Sequence, residues 1–143
     1  MKKLLLFTLT MLMLLTACNS ESAANSTLST TEEVTSEETI LNYQQITQDE
    51  AKQIMTDEEN YIILDVRTQS EYDEGHIPNA ICVPNETIGS NDIPELPDKE
   101  QLILVYCRSG RRSKEAAAKL ADMGYTNIKE FGGIIDWTGD VVK

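Results

Sequence analysis

The chain is 143 residues long, enough for one compact domain with some length left over. Its 24 acidic residues outweigh 12 basic ones, and a formal net charge of −12 argues against nucleic-acid binding, because a phosphate backbone would be repelled. Against this background four basic residues, Arg108, Arg111, Arg112 and Lys114, fall within seven positions. That cluster predicts a local anion site on a surface that otherwise repels anions.

The chain opens on Met1-Lys-Lys3 and an almost wholly apolar run from Leu4 to Leu15. The run is shorter than the ~20 residues a membrane span needs and fits the apolar region of a secretory signal peptide over residues 1–17. The residues Leu15-Thr-Ala-Cys18 resemble the bacterial lipobox. That resemblance implies cleavage before Cys18 and diacylglycerol on its sulfur. It also implies a protein held by its lipid on the extracytoplasmic face of a bacterial membrane. Asn19 to Thr39 is dominated by Ser, Thr, Glu, Ala and Asn, without Lys, Arg, Gly or aromatic residues. It carries too little apolar surface to offset the entropy of ordering it. Residues 18–41 therefore read as a lipidated Cys on a flexible acidic tether, and 42–143 as the globular domain.

Within the domain, Tyr43 to Ile46 is an edge-strand candidate. Thr47-Gln-Asp-Glu50 has the spacing of a capping box and opens a helix with Ala51, Ile54 and Met55 on one face. Tyr61 to Val66 suits a buried parallel strand. Ser70 to Glu74 predicts a short helical turn ended by Gly75, and Ala80 to Val83 a short buried strand stopped by Pro84. Glu86 to Glu100, with two prolines, reads as irregular with a short helix near its start. Leu102 to Tyr106 is a fourth strand, and a helix from about Ser113 ends at Met123-Gly124. Asn127 to Phe131 is a fifth strand, after which Gly132-Gly133 is expected to turn the chain into a short final helix, Ile134 to Trp137. Strands alternating with helices predict a parallel α/β sheet covered on both faces. Ligands bind such sheets beyond the carboxyl ends of the strands.

Cys107 lies at such an end, in Cys107-Arg-Ser-Gly-Arg-Arg-Ser113. A strand ends, a tight loop turns back and a helix begins, so several backbone N–H groups point into the loop without helical partners. The helix start adds a partial charge of about +0.5. Arg108, Arg111 and Arg112 add three full charges. All favour the thiolate over a thiol of reference pKa roughly 8.5. The same cradle would hold the anionic compound that the thiolate attacks. Cys107 is therefore the candidate nucleophile, and Arg108, Ser109, Gly110, Arg111 and Arg112 the candidate substrate cradle. Cys82 reads as a small core residue. Three cysteines do not suggest a disulfide framework. No cluster of residues has metal-ligand spacing, and no dinucleotide or phosphate-loop fingerprint is present, so neither a metal nor a cofactor is expected.

Four segments, in order, resemble the rhodanese domain: Asp65-Val-Arg67 with Glu71-Tyr72, Gly75-His-Ile-Pro78 with Ala80, Tyr106 to Ser113, and Phe131-Gly-Gly133 with Trp137. The resemblance implies a rhodanese-like fold, with a five-stranded parallel sheet and helices on both faces. It also implies sulfur transfer through a persulfide on Cys107, from a small anionic donor such as thiosulfate to a thiol, cyanide or protein acceptor. Arg112 matches the family's loop-closing Arg. Arg108 is the choice for contacting the donor, and Arg111 suits either role. Asp65 and Arg67 are expected to pair or to bond backbone near the sheet's carboxyl edge, and Glu71 to pair with a loop Arg. His76 and Trp137 read as structural. Related folds hydrolyse phosphate with a Cys-x5-Arg loop, but Cys107 to Arg112 is one residue shorter, and a smaller ring suits a sulfur better than a phosphate. A carrier that binds sulfur for an envelope partner without turnover is the other alternative.

Overall fold

The computed structural model describes residues 42–143. The signal peptide expected over 1–17, the lipidated Cys18 and the tether to residue 41 lie outside the described residues. In chain order the elements are β1 (Gln44–Gln45), α1 (Gln48–Asp57), β2 (Tyr61–Asp65), α2 (Gln69–Glu74), β3 (Ala80–Cys82), a 3-10 turn (Asn85–Thr87), β4 (Leu102–Cys107), α3 (Arg111–Asp122), β5 (Ile128–Gly133) and a second 3-10 turn (Ile134–Asp136). The five strands form one parallel sheet in the order β1-β5-β4-β2-β3. The α/β architecture with helices on both faces is the one the sequence predicts.

The two-residue period of a strand divides the apolar residues between two cores. Ile103, Val105 and Cys107 of β4 face α3, where they meet Ala116, Ala117 and Leu120, with Ile88, Ile93 and Leu96 from the irregular segment covering the rest. Leu104 and Tyr106 face the other way and pack with Ile63, Phe131 and Ala51 of α1. β4 is central and paired on both sides, so residues 103–107 are all buried. β1 lies at one edge, as expected. β3 lies at the other, and Cys82 at its end is half-buried rather than enclosed in the core.

Two capping boxes start helices. Thr47 and Glu50 open α1, and Thr68 and Glu71 open α2, each Thr hydroxyl accepting the N–H of the Glu and each carboxylate accepting the N–H of the Thr. The second was legible in Thr68-Gln-Ser-Glu71 but is absent from the sequence reading. α3 begins two residues earlier than expected, at Arg111, because Gly110 takes a left-handed conformation (φ +95°) as its N-cap.

Gly132-Gly133 does not turn the chain as expected. β5 runs through both glycines, and Gly133 pairs with Cys107 after a register shift. Between Val105↔Glu130 and Cys107↔Gly133, two steps on β4 face three on β5, which is a bulge with Gly132 at φ +95°.

Asp65 and Arg67 do pair. Asp65, fully buried, accepts from Arg67 Nε and Nη2, from the Arg67 backbone N–H, and from the Tyr106 hydroxyl at 2.6 Å. Arg67 also donates to the Gly75 carbonyl, and Ile77 N–H donates to the Tyr106 oxygen. Replacing Asp65 by Ala would leave the Arg67 charge buried without its partner. Asp65→Ala should cost about 3–5 kcal/mol of stability, and Tyr106→Phe, which strands one carboxylate lone pair and one N–H, about 1–3 kcal/mol. Urea unfolding midpoints check both, and Tyr106→Phe matching wild type would contradict this reading of the network.

Candidate active site

Cys107 is the last residue of β4, only 1% exposed, and the loop Arg108–Gly110 carries the chain over it into α3. The loop closes tightly because β5 lets it. Gly133 lies directly beneath it, where a Cβ would run into the Arg108 carbonyl and the Ser109 Cα. The Arg108 carbonyl accepts the N–H of Ile135 at 3.2 Å, and Gln48 of α1 donates to the Gly133 carbonyl at 2.8 Å.

The sulfur is held by hydrogen bonds. Gly110 N–H lies 3.1 Å from Cys107 Sγ. Burial pushes the Cys107 thiol up, but hydrogen bonds from the Ser113 hydroxyl and from the N–H groups of Ser113, Ser109 and Gly110 outweigh it and hold the thiol below its ordinary value. Of the effects the sequence suggests, the loop N–H groups are those seen at the sulfur, and two of the three guanidinium groups are held by carboxylates. Arg111 points away to Glu115 at 2.7 Å. Arg112 gives both terminal nitrogens to the Glu71 carboxylate, at 2.7 and 2.8 Å, while lying near enough to feel the Cys107 charge. Arg108 is exposed and takes part in no ion pair among the described residues. Of the proposed cradle, then, Ser109 and Gly110 contribute N–H groups, Arg108 stands free at the rim, and Arg111 and Arg112 are engaged by carboxylates.

Glu71 thus does two jobs, capping α2 and fixing the start of α3 through Arg112. The Arg112 guanidinium, with the Thr68 hydrogen bonds, holds its carboxyl down at about 2 against the opposing effect of burial. Exposed Glu86, after β3, adds a second negative charge near Arg112.

Several residues were not found from sequence. Ser113, fully buried on the first turn of α3, lies 2.6 Å from the carboxylate of Glu130, itself 2% exposed on β5. Asn85, 6% exposed, joins the β3 side to α3: it donates to Glu115 and accepts from Lys119. A lone Glu inside a strand pattern and an Asn following a Pro carry no local signal of such partners. His76 stacks on Tyr72 at 3.7 Å, with Nδ1 3.0 Å from the Tyr72 carbonyl. Its backbone bridges Val142. Trp137 packs half-buried against Phe131. Burial, then the Asp65 charge, pushes the Cys82 thiol up to about 11.

A buried thiol at the carboxyl end of the central strand of a parallel sheet, beneath a loop that leads into a helix start, has the arrangement of a candidate thiol nucleophile. The chain belongs to the rhodanese-like domain family, whose model matches residues 47–140. It is 36% identical over 80 residues to the thiosulfate sulfurtransferase PspE of Escherichia coli, covering 56% of this chain and 77% of the relative. It is also 36% identical over 94 residues to a sulfurtransferase of Allochromatium vinosum, covering 65% and 86%. A crystal structure of a rhodanese-like domain protein from Staphylococcus aureus is 33% identical, with a TM-score of 0.58 over 68% of this chain and 92% of that one.

The Glu71 carboxyl is lowered on folding, so its contribution to stability is complete above its unfolded value of 4.5 and is lost as the pH falls toward 2. Glu71→Gln should therefore be less stable than wild type at pH 7, and the gap should shrink steadily between pH 4.5 and pH 2. Urea midpoints of both proteins across that range test it; a gap independent of pH would refute the assignment.

Proposed function

We propose that the protein transfers sulfane sulfur from an anionic donor such as thiosulfate to a thiophilic acceptor through a persulfide on Cys107. The observation that carries this reading is the Cys107 sulfur enclosed by loop N–H donors, with Arg108 unpaired at the rim. The Cys107 thiolate attacks the outer sulfur of thiosulfate; the new S–S bond forms as the old one breaks, and sulfite leaves with the bonding electrons. A second nucleophile, a thiolate or cyanide, then attacks the terminal sulfur, and Cys107 departs as thiolate. This is covalent catalysis in two displacements. The loop N–H groups stabilise anionic sulfur at each stage, in the manner of an oxyanion hole. Arg108 supplies the charge that draws in the dianion.

Ring size favours sulfur over phosphate. The loop spans Cys-x4-Arg, and Arg112 is bound at both terminal nitrogens by Glu71. A phosphate ester would have to seat three oxygens there and keep its leaving group in line with Cys107. We further propose that Cys18 is the lipidated mature N-terminus and holds the enzyme on the extracytoplasmic face of a bacterial membrane, the support being Leu15-Thr-Ala-Cys18 behind a basic and apolar leader.

Cys107→Ser should lose the persulfide and essentially all thiosulfate turnover, because a serine hydroxyl has no accessible anion at neutral pH. Cys82→Ser should keep most of it, since a thiol titrating at about 11 is protonated and inert at pH 7. Sulfite release from thiosulfate, set beside release of phosphate from an aryl phosphate, checks the reaction; robust phosphate release with no sulfur adduct on Cys107 would overturn it. Arg108→Ala should raise the KM for thiosulfate roughly tenfold, the scale of one charge-assisted contact, while leaving transfer from a preformed persulfide little changed. A membrane fraction that retains Cys18→Ala as well as wild type would remove the lipid anchor from this account.

A further inference from the structure

The floor beneath the active-site loop is backbone, and a side chain from α1 reaches it. β1 pairs with β5 at Lys129 and Glu130, so among the described residues the outer edge of β5 past Glu130 has no strand beside it. The chain leaves the sheet at Ile46, whose N–H donates to the Glu130 carbonyl at 2.9 Å, and turns into α1. Half-buried Gln48, the first residue of α1, reaches back to β5. Its Nε2 donates to the Gly133 carbonyl at 2.8 Å, across 85 residues of sequence.

Gly133 is where the loop rests on β5, since a Cβ there would run into the Arg108 carbonyl. Two residues on, the N–H of Ile135 donates to that same carbonyl at 3.2 Å. In a planar trans peptide the C=O and the N–H point opposite ways. Holding the Arg108 carbonyl onto the chain after β5 therefore turns the Ser109 N–H the other way. The next N–H, that of Gly110, lies 3.1 Å from Cys107 Sγ. A hydrogen bond weakens steeply as its angle falls toward ~120°, so a donor contributes only while it is aimed. The aim of these donors depends on the peptide planes from Gly133 to Ile135, and Gln48 fixes the first of those planes.

We propose that Gln48 is a positioning residue that aims the loop N–H groups at the Cys107 sulfur through the Gly133–Ile135 backbone. The inference rests on Cys107 being the sulfur-transferring nucleophile. The Gln48 amide is uncharged, so its removal acts on the sulfur through the backbone and not through a field. The charged and titratable groups around the sulfur stay in place. These are Arg108 on the loop, Arg112 with Glu71 and Glu86, and Glu130, which Ser113 contacts.

The test is the pH dependence of iodoacetamide incorporation at Cys107, read by peptide mass on the full-length protein, with urea unfolding measured beside it. It needs no sulfur donor. Gln48→Met keeps the length of the side chain and removes the donor, and Gln48→Ala removes both. Each should move the midpoint up by about half a unit, a roughly threefold loss of thiolate below the midpoint. Tyr61→Phe is the comparison, because the Tyr61 hydroxyl secures the other end of α1 by donating to the Met55 carbonyl at 3.1 Å. It should lower the urea midpoint and leave the Cys107 midpoint at its wild-type value. An unmoved Cys107 midpoint in either Gln48 variant, or an equal rise in Tyr61→Phe, would overturn the positioning role. Sulfite release from thiosulfate should fall in the Gln48 variants by the same factor below the midpoint and recover above it. If the Cys107 midpoint rises as expected but wild type releases no sulfite, the sulfur-transfer reading fails and the positioning role stands.

Discussion

The architecture around the reactive sulfur depends on one carboxylate that has been stripped of water. Asp65 is accommodated in the interior because it is met by a guanidinium, a phenol and a backbone N–H, and each of these ties down a different part of the chain. Through Arg67 it reaches the Gly75 carbonyl, which ends α2 and so fixes where Glu71 stands. Through Tyr106 it reaches the residue before Cys107 and the N–H of Ile77. The phenol of Tyr106 points to one face of the sheet and the sulfur of Cys107 to the other, so locking the first sets the second. The network adds side-chain hydrogen bonds to the ladder at the end of β4.

What could be read from the sequence was whatever is written locally. Apolar runs marked the strands, Thr47-Gln-Asp-Glu50 a helix start, and the loop from Cys107 to Ser113 the candidate site. The pairing of Asp65 with Arg67 was legible because the two are neighbours on one strand end. What escaped depends on partners far apart in the chain. Ser113 and Glu130 are 17 residues apart, and Asn85 and Glu115 are 30 apart. A glutamate within Ile128-Lys-Glu-Phe131 looks like the solvent-facing half of an alternating strand until α3 covers it. Gly132-Gly133 was mistaken for a turn for a related reason. Paired glycines usually mark a reversal, but here they let β5 bulge and let the loop pack onto backbone where no side chain fits.

The folded chain weights the effects at the loop differently from a count of charges. Four cations in a short stretch invite an explanation by charge. In the folded chain two of the three loop arginines are neutralised by Glu71 and Glu115, and the hydrogen bonds of the loop do the work at the sulfur. Guanidinium charge at an exposed rim is screened within a Debye length of about 8–10 Å in ordinary salt. Hydrogen bonds aimed at a buried atom are not. The hydrogen bonds to Cys107 are thereby less sensitive to ionic strength than the exposed charge of Arg108.

A cradle made of main-chain N–H groups has a further consequence for how such a loop can change over time. Every residue type except proline brings the same N–H, so the side chains at positions 108 and 109, both exposed, can be exchanged without touching what activates the sulfur. The rim of the loop can therefore vary in charge and size while the N–H groups around Cys107 stay in place.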